Sequence, residues 1–361
     1  MSLRYALIGC GRIAVNHIAA ALAENLDVVG LCDLEIENIH AMLRKAGVST
    51  GYPVYSDYRQ MLRETKPELV GIATESGKHA QIALDCIEQG CHVIIEKPIA
   101  LSLQDADAVI AAGNERGVCV SACHQNRFNL SIQMMRQAIE GGRLGRPLYG
   151  TAHIRWNRNE EYYAQAPWRG TWAQDGGALM NQCIHNIDLL RWMMGDEVTE
   201  VFAYTERLTH PYIEAEDMGL ALTKFANGAY GLIEGSTSVF SKNLEETLYI
   251  FGEKGTMKAG GQSVNRIEEW RLGDGLDDAE DVKVRTAENP PDIYGFGHSR
   301  LYADVIRAIE MGTKPLADGE AGRRALELVL AIYRSAKEGR PIRLPMASFS
   351  TIDMAGYFDE S

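Results

Sequence analysis

The chain has 361 residues, 46% hydrophobic and 24% charged, which is ordinary for a globular protein and too long for a single ordinary core, so two domains are expected. A formal net charge of -13 without a localised basic patch argues against nucleic acid or an anionic membrane as a partner, because phosphates would be repelled. The start, MSLRYALIGCGRIAV, is too Gly-interrupted for a signal peptide, no apolar run could span a bilayer, and seven irregularly spaced cysteines fit a reducing compartment; a cytoplasmic location is expected.

In chain order, Tyr5–Gly9, Val28–Asp33, Leu69–Ala73, Val93–Glu96 and Val118–Ala122 are short apolar runs that read as buried strands. Between them, Ile13–Leu26, Glu35–Ala46, His79–Gln89 and Ser102–Arg116 read as helices. This alternation predicts an α/β domain over residues 1–123, a doubly wound parallel sheet with helices on both faces. Beyond residue 123 the runs lengthen and alternate, as in GTAHIRWNR, EVFAYTER, MGLALTKF, AYGLIEGST and ETLYIFG, and Asn227-Gly228 signals a hairpin between two of them. Residues 124–361 therefore read as an α+β domain, a mostly antiparallel sheet with one exposed face and a few helices, among them Ser299–Met311 and Ala321–Glu338. A polar loop is expected at Gly273–Asp281.

The run ALIGCGRIAVNH follows the first strand and opens the first helix. Gly9 permits a tight turn, Gly11 lets a pyrophosphate approach the backbone, and Ala14 keeps the helix close to the strand; Arg12 and Ile13 complete the loop. Asp33 ends the next strand, placed to accept hydrogen bonds from ribose hydroxyls, and no Arg or Lys follows it to hold a 2′-phosphate, so NAD is expected rather than NADP. IIEKPIA puts Glu96, Lys97 and Pro98 at the carboxyl edge of a parallel strand, where doubly wound sheets bind ligands, and a Lys there can exchange a proton with a substrate hydroxyl. DGGALMNQCIHNID, read as a helix, puts Asn181, His185 and Asp188 on one stripe, with His185 suited to the same proton exchange. Cys119, Cys123 and His124, and Cys183 with His185, lack a second ligand pair at zinc spacing, so no metal is expected.

GCGRIA, EKPIALS and GGALMNQCIHNIDLL together resemble the family of glucose-fructose oxidoreductase and inositol 2-dehydrogenase, over about residues 3 to 340. The resemblance implies a Rossmann nucleotide-binding domain followed by an α/β domain whose large open sheet carries substrate and oligomer contacts. It implies catalytic roles for Lys97 and His185. Asn181 stands where the family commonly has Asp; an amide cannot act as a base, so Asn181 is expected to orient the substrate. Gln125 and Asn126 resemble the hinge segment that borders the cofactor, and Thr74, Ser76 and His79 occupy the analogous loop after a strand, where His79 also reads as a structural residue opening a helix.

EYYAQAPWRGTWAQDGGALMNQ, EAEDMG and NLEETLYIFGEKGTMKAGGQSVNRIEEW are similar to UDP-N-acetyl-2-amino-2-deoxyglucuronate 3-dehydrogenases of bacterial surface-polysaccharide synthesis. That likeness implies a nucleotide-sugar substrate oxidised at C3, and a homo-oligomer, tetramer or dimer. It places Trp168 and Arg169 at the cofactor, and Tyr163, Arg169, Asn181, His185, Asn265 and Arg266 at the substrate. Tyr162 reads as core, and Arg155 and Arg158 as arginines with the usual surface pairing. Two alternatives stand beside it: a dehydrogenase of a free sugar or inositol, and a non-catalytic dinucleotide-sensing regulator.

Overall fold

The computed structural model describes residues 2–195, 197–289 and 295–359. Near-continuous apolar runs can be satisfied only by burial on both faces, and they form the parallel sheet of the first unit. Its elements are β1 (Arg4–Ile8), α1 (Ala14–Ala23), β2 (Asp27–Cys32), α2 (Ile36–Ala46), β3 (Val54–Tyr55), α3 (Tyr58–Thr65), β4 (Leu69–Ile72), α4 (His79–Glu88), β5 (His92–Ile95), α5 (Leu103–Arg116) and β6 (Val120–Ala122). The strand order is β3-β2-β1-β4-β5-β6, all parallel. The order reverses beside β1, which makes the carboxyl ends of β1 and β4 the switch point where ligands bind in such sheets. Neither β3 nor α3 is legible in the sequence pattern, because β3 has two edge residues and α3 is short and mostly polar.

The second unit holds α6 (Leu130–Glu140), β7 (Pro147–Arg155), α7 (Glu160–Ala164), α8 (Ile184–Met194), β8 (Val198–Glu206), β9 (Met218–Phe225), β10 (Tyr230–Ser236), β11 (Glu245–Gly252), β12 (Gly255–Gly260), β13 (Arg266–Leu272) and α9 (Ala279–Thr286). Then follow α10 (Gly297–Met311), α11 (Gly319–Glu338) and β14 (Ile342–Arg343). The sheet runs β13-β12-β11-β7-β10-β9-β8-β14, antiparallel except for the β7–β10 pair. Alternation places one row inward and leaves Tyr204, Leu220, Leu222 and Tyr230 exposed on the other. Asn227-Gly228 turns β9 into β10, with Gly228 at φ 85°. The inner face receives α8: a Cβ on Gly150 would lie 2.7 Å from Leu190, so small strand residues let the helix seat closely. The expected polar loop at Gly273–Asp281 ends in Asp278, which caps α9 by accepting from Asp281 N.

The units are discontinuous: Met1–Gln125 with Gly297–Arg323, and Asn126–Phe296 with Arg324–Ser361. A linear division at residue 123 assigns α10 to the second domain, whereas it packs on α1 in the first. The cause is α10's Tyr302, whose hydroxyl meets Tyr5 of β1 at 2.8 Å and His17 of α1 at 2.7 Å. Among the described residues no helix is long and apolar enough to cross a membrane.

Candidate active site

The glycine loop joins β1 to α1 as expected. Gly9 takes φ 88°, and a Cβ there would lie 2.5 Å from the Ala73 carbonyl carbon, so only glycine fits. Gly11 is exposed with nothing within 4 Å of a Cβ, so no neighbour within the unit demands a glycine there and the approach to the α1 N-terminus stays open. Arg12 is exposed and Ile13 half-buried at the N-cap of α1. Asp33 Oδ2 accepts from Cys10 N at 2.8 Å, while Oδ1 accepts from Glu35 N and Asn38 Nδ2, each at 3.0 Å. The carboxylate is thus held against the glycine loop at the ends of β1 and β2, the position a ribose-binding acid requires.

Lys97 follows β5, half-buried, and its N–H donates to Glu96 Oε2 at 3.1 Å. Two of the expected cofactor-facing side chains turn inward instead. Glu96 is buried, accepting from His17 at 2.9 Å and His298 at 3.5 Å. His79 is also buried, its ring nitrogens meeting Pro98 O at 2.7 Å and Thr74 O at 3.1 Å, and burial pushes its pKa down. It ties the Thr74 loop to the Lys97 turn, because a ring bonded on both sides has no edge left for a ligand. Thr74 is half-buried, while Ser76 and Gln125 are buried.

In the second unit the stretch that suggested one helical stripe forms two kinds of helix. Leu179–Cys183 is a π-helix and α8 begins at Ile184, so Asn181 and His185 are separated by a wide turn. Such widened turns insert one residue and re-aim side chains, often at functional sites. His185 is half-buried on the first turn of α8. Asp188 is fully buried and faces Arg127, which donates through Nε at 2.6 Å and Nη2 at 2.7 Å, and Arg191 at 3.0 Å. Asp188 therefore anchors the helix.

The π-helix start is held by Glu216, whose backbone oxygen accepts from Ala178 N at 2.9 Å. Its Oε1 accepts from Leu179 N at 2.8 Å and Tyr333 Oη at 2.9 Å. Burial outweighs these hydrogen bonds and pushes the Glu216 pKa up to about 8.

A chain of hydrogen bonds brings Arg169 and Asn181 together. Arg169 Nη1 donates to Tyr162 Oη at 2.6 Å, and Gln182 Nε2 donates to the same oxygen at 3.1 Å. Gln182 also reaches Asn181 Oδ1 at 3.4 Å, and Asn181 Nδ2 donates to Asp175 Oδ1. Asp175, buried, accepts from Gly170 N at 2.9 Å through its other oxygen. The carboxylate missing at position 181 is thus present next door, which fixes the amide with its nitrogen toward Asp175. Sequence reasoning missed Asp175, although it opens the stretch containing Asn181 and His185.

The guanidinium of Arg169 lies 4.4 Å from the Tyr162 ring centroid and 4.7 Å from that of the half-buried Trp168, and its Nε has no partner among the described residues. Tyr163 is buried, its hydroxyl 3.3 Å from Thr237 Oγ1 and its ring against His210, while Tyr162 is half-buried beside Arg169. Asn265 is committed to its own loop, accepting from Gln262 N at 2.9 Å and Ser263 N at 3.2 Å and donating to Glu288 O. Arg266 is exposed, 3.4 Å from Glu268. Arg155 pairs with Glu234 and Glu245. Arg158 lies over Trp156 and Tyr162 at 4.7 Å and 5.0 Å. Asn126, buried, donates to Glu246 at 3.4 Å.

A doubly wound parallel sheet with a glycine loop, an acid at the end of β2 and a lysine after β5 defines the class: an α/β protein of the dinucleotide-binding kind. The family is equally plain. Residues 3–124 match the model of the oxidoreductase family's NAD-binding Rossmann fold, residues 136–344 match that of its C-terminal alpha/beta domain, and the chain belongs to this Gfo/Idh/MocA oxidoreductase family. It is similar to the solved WlbA dehydrogenase from Bordetella pertussis, in complex with NADH and UDP-GlcNAcA, at 38% identity over 96% of this chain and 98% of that one, with a TM-score of 0.87. It is also similar to WlbA from Chromobacterium violaceum, with the same two ligands, at 36% identity over 96% of each chain and a TM-score of 0.85. The myo-inositol 2-dehydrogenase of Thermotoga maritima is 26% identical over 95% of this chain and 98% of its own length.

Proposed function

We propose that this chain is an NAD-dependent dehydrogenase oxidising the C3 hydroxyl of UDP-N-acetyl-2-amino-2-deoxyglucuronate to a ketone. The observation that carries the substrate is the end-to-end likeness to two dehydrogenases solved with NADH and UDP-GlcNAcA. Within the chain, the open loop at Gly11, the carboxylate of Asp33 and the absence of a cation directly after it support NAD over NADP. NAD, when bound, supplies the hydride acceptor. Lys97 and His185 share the remaining work: one takes the hydroxyl proton as hydride leaves C3, and the other steadies the developing alkoxide. Arg169, braced by Tyr162 and Trp168 with an unpartnered Nε, supplies a cation for the substrate's anionic groups, and Asn181, oriented by Asp175, supplies a neutral hydrogen bond. The apolar row Tyr204, Leu220, Leu222 and Tyr230 supports a homo-oligomer, dimer or tetramer, through the sheet's open face, and cysteines that form no disulfide fit the reducing cytoplasm.

The test is NADH formation with UDP-N-acetylglucosaminuronate against free sugars and inositols, with an aminotransferase present to draw off the ketone because alcohol oxidation by NAD runs uphill. Turnover confined to the nucleotide sugar and reduced about 10²–10⁴-fold by Lys97→Met is expected. Wild-type turnover in that variant would sink the mechanism. Turnover of inositol alone would favour the second reading, for which the inositol dehydrogenase likeness speaks.

A further inference from the structure

Five side chains drawn from β1, α1, the Lys97 turn and α10 form a closed buried chain in the first unit. Tyr5 Oη lies 2.8 Å from Tyr302 Oη, Tyr302 Oη 2.7 Å from His17 Nδ1, and His17 Nε2 2.9 Å from Glu96 Oε1. His298 Nε2 approaches the same carboxylate oxygen at 3.5 Å, and Lys97 N–H takes Oε2. A carboxylate only accepts, so both histidines donate through Nε2. In the tautomer that donates to Glu96, His17 Nδ1 accepts from Tyr302, and Tyr5 in turn donates to Tyr302.

Glu96 has to be a carboxylate. An amide oxygen turned toward the histidines would set its NH2 against Lys97 N–H, and the flipped amide would set it against the two imidazole N–H groups. Burial alone would raise the Glu96 pKa, but the bonds from His17 and His298 outweigh it and hold the group well below its usual value. His79 and the Cys123 thiol are its other titratable neighbours. His17, Glu96, Cys123 and His298 keep their ligand atoms within 4.8 Å, a spacing that would suit a cation. In this cluster both His17 nitrogens are engaged, one with Glu96 and the other with Tyr302. The chain ends on the fully buried Tyr5, so it carries no proton to solvent.

We propose that His17 is a positioning residue for Lys97: through Glu96 it ties the helix that opens on the glycine loop to the turn that carries the lysine. This rests on reading Lys97 as the proton-transfer group. In the holoenzyme turning over UDP-N-acetylglucosaminuronate, His17→Leu should lower kcat at least about tenfold. The sugar KM and the NADH Kd should stay within about threefold, because substrate and cofactor contacts are untouched. Amide hydrogen exchange at Lys97 should accelerate. His17→Gln, whose amide N–H can still donate to Glu96, should recover most of the rate. Glu96→Gln should reproduce the kcat loss with His17 intact, which keeps the test open if the leucine variant does not fold. Wild-type kcat with an unchanged Lys97 amide in His17→Leu overturns the proposal, as does a loss of rate and NADH affinity in equal proportion that glutamine fails to restore. If Lys97→Met retains turnover while His17→Leu still frees the Lys97 amide, the catalytic reading has failed and the tie stands.

Discussion

Asp188→Asn takes a carboxylate away from two buried guanidinium groups. The side chains of Arg127, Asp188 and Arg191 are 3%, 1% and 2% exposed, and the carboxylate accepts three charge-assisted hydrogen bonds. Burial already pulls the Arg191 pKa down to about 10, with Asp188 opposing the fall and Arg127 and Arg324 adding to it. Without the anion, the two cations are left facing each other in a dry interior. Breaking a buried pair this way costs about 3–5 kcal/mol, and since asparagine keeps one acceptor the lower end applies, about 3 kcal/mol. At a urea m-value of about 2 kcal/mol/M the midpoint should fall by about 1.5 M. Tryptophan fluorescence is the suitable probe, because all five tryptophans (Trp156, Trp168, Trp172, Trp192 and Trp270) belong to the second unit, and Trp192 lies 4.8 Å from the Arg127 guanidinium. The triple replacement Asp188→Leu, Arg127→Met, Arg191→Leu should recover most of the loss, as apolar substitutes for buried ions commonly do. A midpoint shift below about 0.3 M for Asp188→Asn at unchanged m would refute the electrostatic account.

Gly9→Ala should cripple both folding and NADH binding, since its Cβ meets the Ala73 backbone at 2.5 Å, whereas Gly11→Ala should keep the unfolding midpoint and weaken NADH binding alone; equal thermal stability of the two variants would contradict this. Glu216 and Glu246 are buried with pKa values pushed up by burial to about 8, so they bind protons more tightly folded than unfolded. Their stabilisation is complete below the unfolded value near 4.5 and is lost as pH rises through about 8. The melting temperature should therefore fall between about pH 5 and 9, and Glu246→Gln should flatten that slope. Asp33→Ser should weaken NAD binding about tenfold while improving NADP relative to NAD, measured by titration of each cofactor; an unchanged preference would remove Asp33 from the ribose.

What the sequence by itself determined is local. The strand runs, the α1 and α11 periodicities and the glycine loop are written in neighbouring residues, because burial of a run or a stripe and the sterics of Gly9 need no distant partner. The backbone position of Lys97 and the carboxylate of Asp33 were legible for the same reason, each standing at the end of a recognisable strand. Only the tertiary structure decided what the remaining polar groups face. Glu96 and His79 read as cofactor contacts until α10, some two hundred residues further on, brought His298 to one and the Thr74 and Pro98 carbonyls enclosed the other. Tyr162 and Tyr163 are adjacent and alike in composition, and it is packing against Thr237, His210 and Tyr212, far along the chain, that buries the second. The wide turn at Leu179–Cys183 has no signature in DGGALMNQCIHNID, and the carboxylate that holds its start, Glu216, comes from just ahead of β9. Long-range pairing sets these environments, and a side chain's hydrogen-bond partner is a property of the fold that composition and spacing do not encode.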